Sequence, residues 1–264
     1  GVDESDLEAI RRAYMEEFSV SIKLGADGYL RVSSRAYLRD FFEKLGFTPP
    51  YVPSERAFKV PAHLYGDLVV ELEKAGFNVV DELALLRGSQ LPRQVTFKGE
   101  LRDYQREALE AWEGNRFRGV IALPTGSGKT VIALAGVAKL NVKTLVVVYT
   151  RDHIRQWVEA FRKFTDAQGL VGPYYGEEKR LAPITVTTYQ TAYRNTALFA
   201  RQFALVVFDE AHHLPADKFK HIAFNMPSPY RMALSATPER EDGKHAEIFP
   251  LIGGLIYFKS VSEL

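Results

Sequence analysis

Cysteine is absent from the 264-residue sequence, and this absence excludes disulfide bonds and thiolate metal sites. The sequence also lacks a secretory leader and any apolar run approaching the roughly 20 residues needed to span a bilayer. These features predict a protein without a membrane partner that works inside the cell, in the cytoplasm of a prokaryote or the nucleus of a eukaryote.

A large net charge of either sign is also missing. The formal net charge at pH 7 is +1. Such a balance gives no global attraction to nucleic acid, so any binding to a polyanion has to come from local basic patches. With 46% hydrophobic residues, the composition is that of a folded globular protein, and the length is sufficient for two domains.

The most informative stretch is the glycine-rich segment 123–130, which has the sequence Leu-Pro-Thr-Gly-Ser-Gly-Lys-Thr. An apolar segment with the pattern of a buried strand precedes it, and one with the pattern of a helix follows it. Glycine lets the chain turn tightly and aim successive N–H groups at an anion, and the helix N-terminus adds its positive dipole. We therefore predict a phosphate cradle that binds ATP through Thr125, Gly126, Ser127, Gly128, Lys129 and Thr130.

Lys129 and Thr130 give this cradle its chemistry. The Lys129 ammonium is placed to hold the outer phosphates, and the Thr130 hydroxyl is placed to ligate Mg²⁺. Leu123 departs from the general pattern, which has a glycine at this place. The alternative interpretation is a glycine-rich turn that only joins a strand to a helix, although few such turns carry Lys-Thr at the helix start.

Two carboxylates follow another apolar segment, 205–208, in the sequence Asp209-Glu210-Ala211-His212. The carboxyl ends of parallel strands meet at one edge of a sheet, so these side chains are expected beside the phosphate cradle. Asp209 is then placed to bind Mg²⁺, usually through water, and Glu210 to polarise the water that attacks the γ-phosphate. Taken alone, the two acidic residues fit the cap of a loop equally well.

The pattern of apolar segments changes along the chain and predicts two domains. Residues 1–90 have the pattern of a small α/β domain without an evident catalytic constellation, and the polar segment 88–94 marks the boundary. From 91 to 264, near-continuous apolar strands alternate with helices, which is typical of a doubly wound α/β domain with a parallel sheet covered on both faces. Strands are predicted at 119–123, 144–148, 184–188, 204–208 and 232–235.

These motifs occur in the order found in the superfamily 2 helicases and translocases of the DEAH-box kind, and the sequence resembles that family over residues 95–245. The resemblance implies a RecA-like P-loop domain in which 123–130 is motif I, 209–212 is motif II and Ser235-Ala236-Thr237 is motif III. It implies catalytic roles for Lys129, Asp209, Glu210 and His212.

By the same resemblance, other segments bind the base and the nucleic acid. The segment 101–105 resembles the one that reads the adenine edge, which implies that role for Gln105 and Arg102. Motif Ia, usually Pro-Thr, is Tyr149-Thr150 here, and the segment 187–190 resembles a strand-end motif that touches a nucleic-acid backbone. Contacts with nucleic acid, or a coupling role, are therefore expected for Thr150, Gln156, Thr187, Thr188, Ser235 and Thr237.

A closer resemblance, to the XPB helicases, lies in the sequence Arg240-Glu241-Asp242 soon after motif III. Taken alone, these are three charged residues of a solvated loop, but they match the Arg-Glu-Asp element of that family. XPB relatives carry a damage-recognition domain ahead of the first motor domain, where residues 1–90 stand here. The resemblance implies ATP, Mg²⁺ and DNA as ligands, and repair or transcription proteins such as a nuclease as further partners.

Fewer than thirty residues follow Thr237, whereas a second motor domain needs about a hundred or more. We therefore expect the N-terminal half of a helicase, with hydrolysis dependent on a missing C-terminal motor domain of the same chain. Two alternatives stay open. One is a duplex translocase of the restriction or remodelling type within the same superfamily, and the other is a non-catalytic scaffold that binds DNA or docks a partner.

Two further groups of residues have weaker patterns. His212, His213 and His221 lack the spacing of metal ligands, so we expect no metal site from them. The predicted helix after Thr150 carries four basic residues, for which phosphate contact and a solvated face are equally supported. These residues are Arg151, Arg155, Arg162 and Lys163.

Overall fold

The computed structural model describes residues 1–236 and 247–264, and the chain divides into two compact units, Gly1–Ala84 and Leu85–Leu264. Within the described residues, no helix combines the length and the apolar character needed to cross a bilayer. Thr237 of motif III and the sequence Arg240-Glu241-Asp242 lie outside the described residues, so their predicted roles stay predictions.

The division between the units lies slightly ahead of the predicted boundary at residues 90–91, because the polar segment is bonded to the second unit. The backbone N–H of Leu91 donates to the carbonyl oxygen of Asn141 at 2.9 Å. In the same way, the N–H of Lys143 donates to the carbonyl oxygen of Ser89 at 2.8 Å. The segment 88–94 is therefore part of the second unit and not a free linker.

The first unit is a five-stranded mixed sheet in the order β3-β4-β2-β1-β5, in which only the β1–β5 pair is parallel. Val20, Ile22, Leu30 and Val32 alternate with more exposed residues, so one face of the sheet is buried. The elements are α1 (Glu4–Glu17), β1 (Ser19–Leu24), β2 (Tyr29–Ser34), α2 (Arg39–Lys44), β3 (Tyr51–Val52), β4 (Ala57–Pro61), α3 (Tyr65–Lys74) and β5 (Asn78–Asp81).

The second unit contains an eight-stranded sheet and seven α-helices among its described residues. Its elements are α4 (Asp103–Gly114), β6 (Arg118–Leu123), α5 (Lys129–Leu140), β7 (Thr144–Val148), α6 (Arg151–Phe164), β8 (Val171–Tyr175), β9 (Glu178–Lys179), β10 (Ile184–Thr188), α7 (Tyr189–Arg194), α8 (Thr196–Ala200), β11 (Leu205–Phe208), α9 (Ala216–Asn225), β12 (Tyr230–Ala236), α10 (Phe249–Ile252) and β13 (Leu255–Phe258).

The strand order is β13-β6-β12-β11-β7-β10-β8-β9, and every pair except β8–β9 is parallel. Strands β7, β10 and β11 are buried at every position, which shows that both faces of the sheet are covered. Helix α5 is buried from Ile132 to Ala138, because its apolar residues face the sheet and its neighbouring helices alike. The predicted parallel sheet is therefore confirmed.

A fully buried arginine on β12, Arg231, ties the end of α9 to the strand beside it. Its guanidinium donates to the carbonyl oxygens of Ala223 at 2.5 Å, Ser228 at 3.1 Å and Leu251 at 3.0 Å, and also to that of Met226. The carbonyls in the last turn of a helix have no partner inside that helix. Arg231 supplies one to the C-terminal end of α9, and so fixes α9 to the start of β12.

Replacing this arginine tests that assignment. Arg231→Met keeps an unbranched apolar stem but leaves several buried carbonyl oxygens without their donor, so we expect a loss of at least about 3 kcal/mol in the free energy of unfolding. The urea unfolding transition of the second unit measures this loss of stability. The control is Arg162→Met, because Arg162 is exposed and its ion-pair distance to Glu159 is 3.9 Å. Equal stability of the two variants would contradict the assignment.

Candidate functional site

The carboxyl ends of five adjacent strands, β6, β12, β11, β7 and β10, form one edge of the sheet. The registers bring the ends together, since Leu123 pairs with Ala236 and Val148 pairs with Thr188. This edge therefore carries the glycine-rich loop after β6, Ser235 and Ala236 of motif III at the end of β12, the Asp-Glu-Ala-His sequence after β11, and the loops after β7 and β10. Five of the predicted site segments thus lie, in whole or in part, on one side of the second unit.

The glycine-rich loop has the conformation that its sequence predicts. Gly126 and Gly128 have φ angles of +80° and +81°, which are left-handed values that other residues rarely adopt, and helix α5 begins at Lys129. The Lys129 ammonium donates to the carbonyl oxygens of Leu123 at 3.0 Å and Pro124 at 3.2 Å. Burial lowers the pKa of Lys129, and the negative charges of Glu210 and Asp209 oppose that shift. The ammonium is therefore within electrostatic reach of both carboxylates.

Two features of this loop fit a bound phosphate. The Ser127 hydroxyl oxygen is buried and has no hydrogen-bond partner among the described residues, although buried polar atoms usually have one. A Cβ added to Gly126 would meet no atom within 4 Å, so the loop is open on that side. The residues present thus fit an oxyanion that approaches the backbone N–H groups and accepts a hydrogen bond from Ser127.

Two side chains of helix α4, Gln105 and Tyr104, form hydrogen bonds with the glycine-rich loop. The Gln105 amide nitrogen donates to the carbonyl oxygens of Ser127 at 3.1 Å and Gly128 at 3.2 Å, and its oxygen accepts from the Arg102 backbone at 2.8 Å. The Tyr104 hydroxyl also donates to Ser127, at 2.5 Å. Since the Gln105 side chain is buried and its donors and acceptor are engaged, this structure gives it a loop-shaping position. The reading of adenine by Gln105 and the exposed Arg102 stays a prediction.

Asp209 is 7% exposed and is held by two donors. The Trp157 indole N–H donates to one carboxylate oxygen at 2.6 Å, and the Glu210 backbone N–H donates to the other at 2.9 Å. Burial raises the pKa of Asp209, and the hydrogen bond from Trp157 acts against that rise. The contact from Trp157 was missed by sequence reasoning, although a tryptophan on the buried side of a helix needs a partner for its N–H.

Glu210 lies beside Asp209 in a left-handed backbone conformation, with φ +50° and ψ +43°. Such a conformation is unfavourable for a residue other than glycine, at a cost of about 1–2 kcal/mol, so the surrounding structure has to hold it. The His212 Nε2 atom lies 3.1 Å from a Glu210 carboxylate oxygen. The hydrogen bond from His212 lowers the pKa of Glu210, because it stabilises the ionised carboxylate.

Glu210, His212 and His213 bring one ligand atom each within 4.8 Å of one another, whereas His221 lies elsewhere, on α9. The hydrogen bonds of His212 decide which of its nitrogen atoms carries a proton. The Ala236 backbone N–H donates to His212 Nδ1 at 3.0 Å, so Nδ1 carries no proton and Nε2 carries it toward Glu210. A metal ion would need the Nε2 lone pair, and the observed bonds thus describe a histidine that orients a carboxylate, with motif III as its support.

A polar cavity of about 390 Å³ opens at the ends of β7 and β10. Its lining includes Thr150, Arg151, Thr188, Tyr189 and Arg194. The Thr150 and Thr188 hydroxyls accept from backbone N–H groups at the starts of α6 and α7, and therefore cap those helices. The two arginines give this cavity the positive charge that suits a phosphate backbone.

Two residues predicted to contact nucleic acid lie away from this cavity. Thr187 is fully buried, and its hydroxyl donates to the carbonyl oxygen of Tyr174 at 2.7 Å; its role in nucleic-acid contact or coupling stays a prediction. Gln156 is exposed on α6 and lines a separate shallow groove with Arg155 and Lys163. Ser235 is 7% exposed at the end of β12, next to Ala236 and hence to the bond with His212.

Comparison with known proteins gives a family for this arrangement. The sequence model of the family described as type III restriction enzyme, res subunit, matches residues 98–240, more than half of the chain. The chain belongs to this family. The match begins just before α4 and contains the glycine-rich loop, the acidic pair and the polar cavity.

Curated proteins similar to this chain are named as DNA helicases or translocases. Over 243 residues the chain is 41% identical to the DNA 3'-5' translocase XPB2 of Sulfurisphaera tokodaii, covering 86% of this chain and 52% of that protein. Over 193 residues it is 36% identical to the DNA 3'-5' helicase XPB of Mycobacterium tuberculosis, covering 69% and 35%. The chain spans about half the length of these relatives or less, and its resemblance to the XPB-type helicases is confirmed.

Solved structures support the fold. The UvsW helicase from bacteriophage T4 superposes with a TM-score of 0.51 at 19% identity, covering 92% of this chain and all of that chain. A Sulfolobus solfataricus SWI2/SNF2 ATPase core in complex with dsDNA also superposes with a TM-score of 0.51, at 24% identity over 62% of this chain. The RecA-like fold expected from the sequence is thereby confirmed.

The role of Trp157 can be tested with the two tryptophans of the chain. Trp157→Phe keeps a buried ring but removes the N–H that orients Asp209 and opposes the rise of its pKa. If Asp209 holds Mg²⁺ as the sequence predicts, the affinity for Mg²⁺ in the presence of ATP should fall by about 10- to 100-fold, as for other partners that orient a metal ligand. A Mg²⁺ titration of the fluorescence of a labelled ATP measures the change.

Trp112→Phe is the matched control. Trp112 is equally buried, and its indole N–H donates to the Arg231 carbonyl oxygen at 2.8 Å. Both variants lose one buried hydrogen bond, so both are expected to be less stable, whereas only Trp157→Phe changes the Mg²⁺ dependence. If the two variants required the same Mg²⁺ concentration, Trp157 would have a purely structural role.

Proposed function

We propose that residues 91–264 are the first motor domain of an XPB-type, ATP-dependent DNA helicase or translocase, and that residues 1–90 are its damage-recognition-like domain. The observation that carries this proposal is the meeting of the Lys129 ammonium, the buried Asp209 and the ionised Glu210 at one edge of a parallel sheet. Phosphoryl transfer to water needs such a set: charge neutralisation, a metal ligand and an aligned nucleophile.

In this proposal, ATP is held by the glycine-rich loop. The phosphates lie against the N–H groups of residues 125–130, and Lys129 exchanges the carbonyl oxygens of Leu123 and Pro124 for the outer phosphates. Thr130 and Asp209 hold Mg²⁺, which neutralises phosphate charge when bound. Gln105 and Arg102 lie at the start of α4 beside the loop, where the base is expected.

Glu210 acts as the general base in this mechanism. Its carboxylate accepts a proton from the attacking water, and His212 keeps it oriented through the 3.1 Å hydrogen bond. His212 in turn accepts from the Ala236 backbone, so a movement of motif III changes the position of Glu210. Ser235 and Thr237, on either side of Ala236, are proposed to couple the nucleotide state to DNA binding.

DNA is proposed to bind at the polar cavity. Arg151 and Arg194 neutralise backbone phosphates, and Thr150 and Thr188 place the N-termini of α6 and α7 toward the same strand. Gln156 would contact DNA only where a longer strand passes over the α6 groove. Arg240, Glu241 and Asp242 are proposed, from the XPB resemblance alone, to lie near the DNA path.

Full activity is proposed to need the second motor domain, since the chain spans about half of XPB2. That domain would supply the arginine finger, which contributes about 10³–10⁵ in rate in nucleotide hydrolases. Repair or transcription proteins such as a nuclease are the further partners implied by the XPB resemblance, and the place of action is then the prokaryotic cytoplasm or the eukaryotic nucleus.

A duplex translocase of the restriction or remodelling type is the second candidate function. Two names favour it, because the matched family is that of a restriction-enzyme subunit and the relative XPB2 is named a translocase. The first motor domain described here serves both functions with the same residues. Two assays on the whole protein distinguish them. A helicase separates the two strands of a duplex, whereas a duplex translocase displaces a third strand bound to the duplex and leaves the duplex paired.

Lysine replacement tests the nucleotide site. Lys129→Ala removes the charge for the outer phosphates, so we expect the affinity for Mg²⁺–ATP to fall at least about 10-fold, whereas a non-catalytic scaffold would bind unchanged. The control is Lys139→Ala on the same helix, since Lys139 is half-exposed and pairs with Glu113 at 2.6 Å. Calorimetric titration with a non-hydrolysable ATP analogue measures both. Equal affinities would exclude the motor assignment.

Salt dependence tests the DNA site. Because each phosphate contact releases about one counterion, Arg151→Ala and Arg194→Ala should each weaken binding for all sequences and reduce the slope of log K against log salt by about 1. Fluorescence anisotropy of a labelled oligonucleotide gives the slope. Arg162→Ala is the control, since Arg162 is exposed on the same helix as Arg151 but does not line the cavity. A slope unchanged in both cavity variants would place DNA elsewhere.

A further inference from the structure

Three neighbouring strand ends place aromatic or imidazole rings next to one another. Strand β7 lies between β10 and β11 in the sheet, and Tyr149 is the first residue after β7. Tyr189 directly follows Thr188, which is in register with Val148, and His213 lies in the short turn after β11. The topology therefore sets Tyr149 between a ring from the polar cavity and a ring from the turn after the acidic pair.

The rings form a continuous stack. Tyr149 and Tyr189 are nearly parallel, with an interplanar angle of 13° and centroids 6.1 Å apart. The centroids of Tyr149 and His213 are 5.5 Å apart at 30°, and those of His213 and His212 are 4.0 Å apart at 47°. These distances lie in, or just below, the range in which aromatic rings attract one another.

The two ends of the stack belong to the two proposed ligand sites. Tyr189 lines the polar cavity next to Thr188 and Gln190, and Tyr149 lines it as well. At the other end, His212 donates to the carboxylate of Glu210 and accepts from the backbone of Ala236. The stack is therefore a direct path of contacts, four rings long, from the cavity to the proposed general base.

Tyr149 is the ring that joins the two sites. It is 38% exposed, so the hydrophobic core does not fix it, and its ring contacts are those with Tyr189, His213 and His153, the last with centroids 6.4 Å apart. Burial lowers the pKa of His213, the ring that meets Tyr149.

We propose that Tyr149 is a positioning residue that couples DNA binding at the cavity to the orientation of Glu210, through Tyr189, His213 and His212. A strand in the cavity that displaces Tyr189 also displaces Tyr149, and the shift reaches the histidines that hold Glu210. The coupling is reciprocal, because a ligand that favours one arrangement of the stack changes the affinity for the other ligand by the same factor. This inference rests on the proposed function, since it requires both ligands.

The test measures coupling rather than activity, and it uses the 264-residue chain. The dissociation constant of a labelled oligonucleotide is measured by anisotropy with and without saturating Mg²⁺ and a non-hydrolysable ATP analogue. The ratio of the two constants is the coupling factor, which a uniform loss of DNA affinity does not change. We expect at least about a fivefold effect in the wild type, a ratio near 1 in Tyr149→Ala, and recovery in Tyr149→Phe, which keeps the ring.

Tyr193→Ala is the matched control. Tyr193 is a similarly exposed tyrosine on α7, but it contacts His221 and Lys218 and does not belong to the stack. Its replacement should leave the coupling factor as in the wild type. A coupling factor in Tyr149→Ala equal to that of the wild type overturns the inference, even if the DNA affinity is lower, because Tyr149 would then only contact DNA.

The remaining outcomes separate the inference from the proposed function. If the wild type binds both ligands without coupling, the inference fails and the proposed function stands. If it binds neither ligand, the proposed function fails, and the inference with it. If circular dichroism shows that Tyr149→Ala is unfolded, His213→Ala interrupts the same stack from the other side, and a coupling factor that it leaves unchanged overturns the inference.

Discussion

The parallel pairing of five adjacent strands is the constraint on which the rest of the second unit depends. Parallel strands all end at the same edge, so segments as far apart in sequence as Lys129 and Asp209 have to meet there. Each loop at this edge then has its own chemical role. The loop after β6 turns on glycines, the loop after β11 holds the carboxylates, and the loops after β7 and β10 present hydroxyls and guanidinium groups. The sheet order decides which of these roles are neighbours.

The site is held by polar groups that are buried and satisfied by the fold. Trp157 supports Asp209, Gln105 and Tyr104 support the phosphate loop, and Ala236 fixes the tautomer of His212. Glu210 keeps an unfavourable left-handed backbone conformation next to them. Such strain persists where the surroundings over-determine a residue, which is the condition of a preorganised site. The same hydrogen bonds therefore stabilise the fold and position the side chains of the site.

Sequence reasoning succeeded where a pattern depends on the local chain. The strands at 144–148 and 184–188, the glycine turn and the acidic pair could all be predicted, because apolar runs and turn residues act over a few positions. It could not show which side chains meet across the sheet. The Thr187 hydroxyl bonds to Tyr174 on the neighbouring strand, and the contact between Trp157 and Asp209 joins residues 52 positions apart. Strand β8 contains Gly172 and Pro173, which disfavour strands, and it pairs with β10 and β9.

The central claim is that one triphosphate and one Mg²⁺ are held jointly by the loop after β6 and the carboxylates after β11. A crystal structure of the chain with Mg²⁺ and a non-hydrolysable ATP analogue tests it directly. We expect that the Lys129 ammonium contacts the outer phosphates and that the metal ion lies between Thr130 and Asp209. Phosphates bound anywhere else on the molecule, or a metal ion away from Asp209, would contradict the claim.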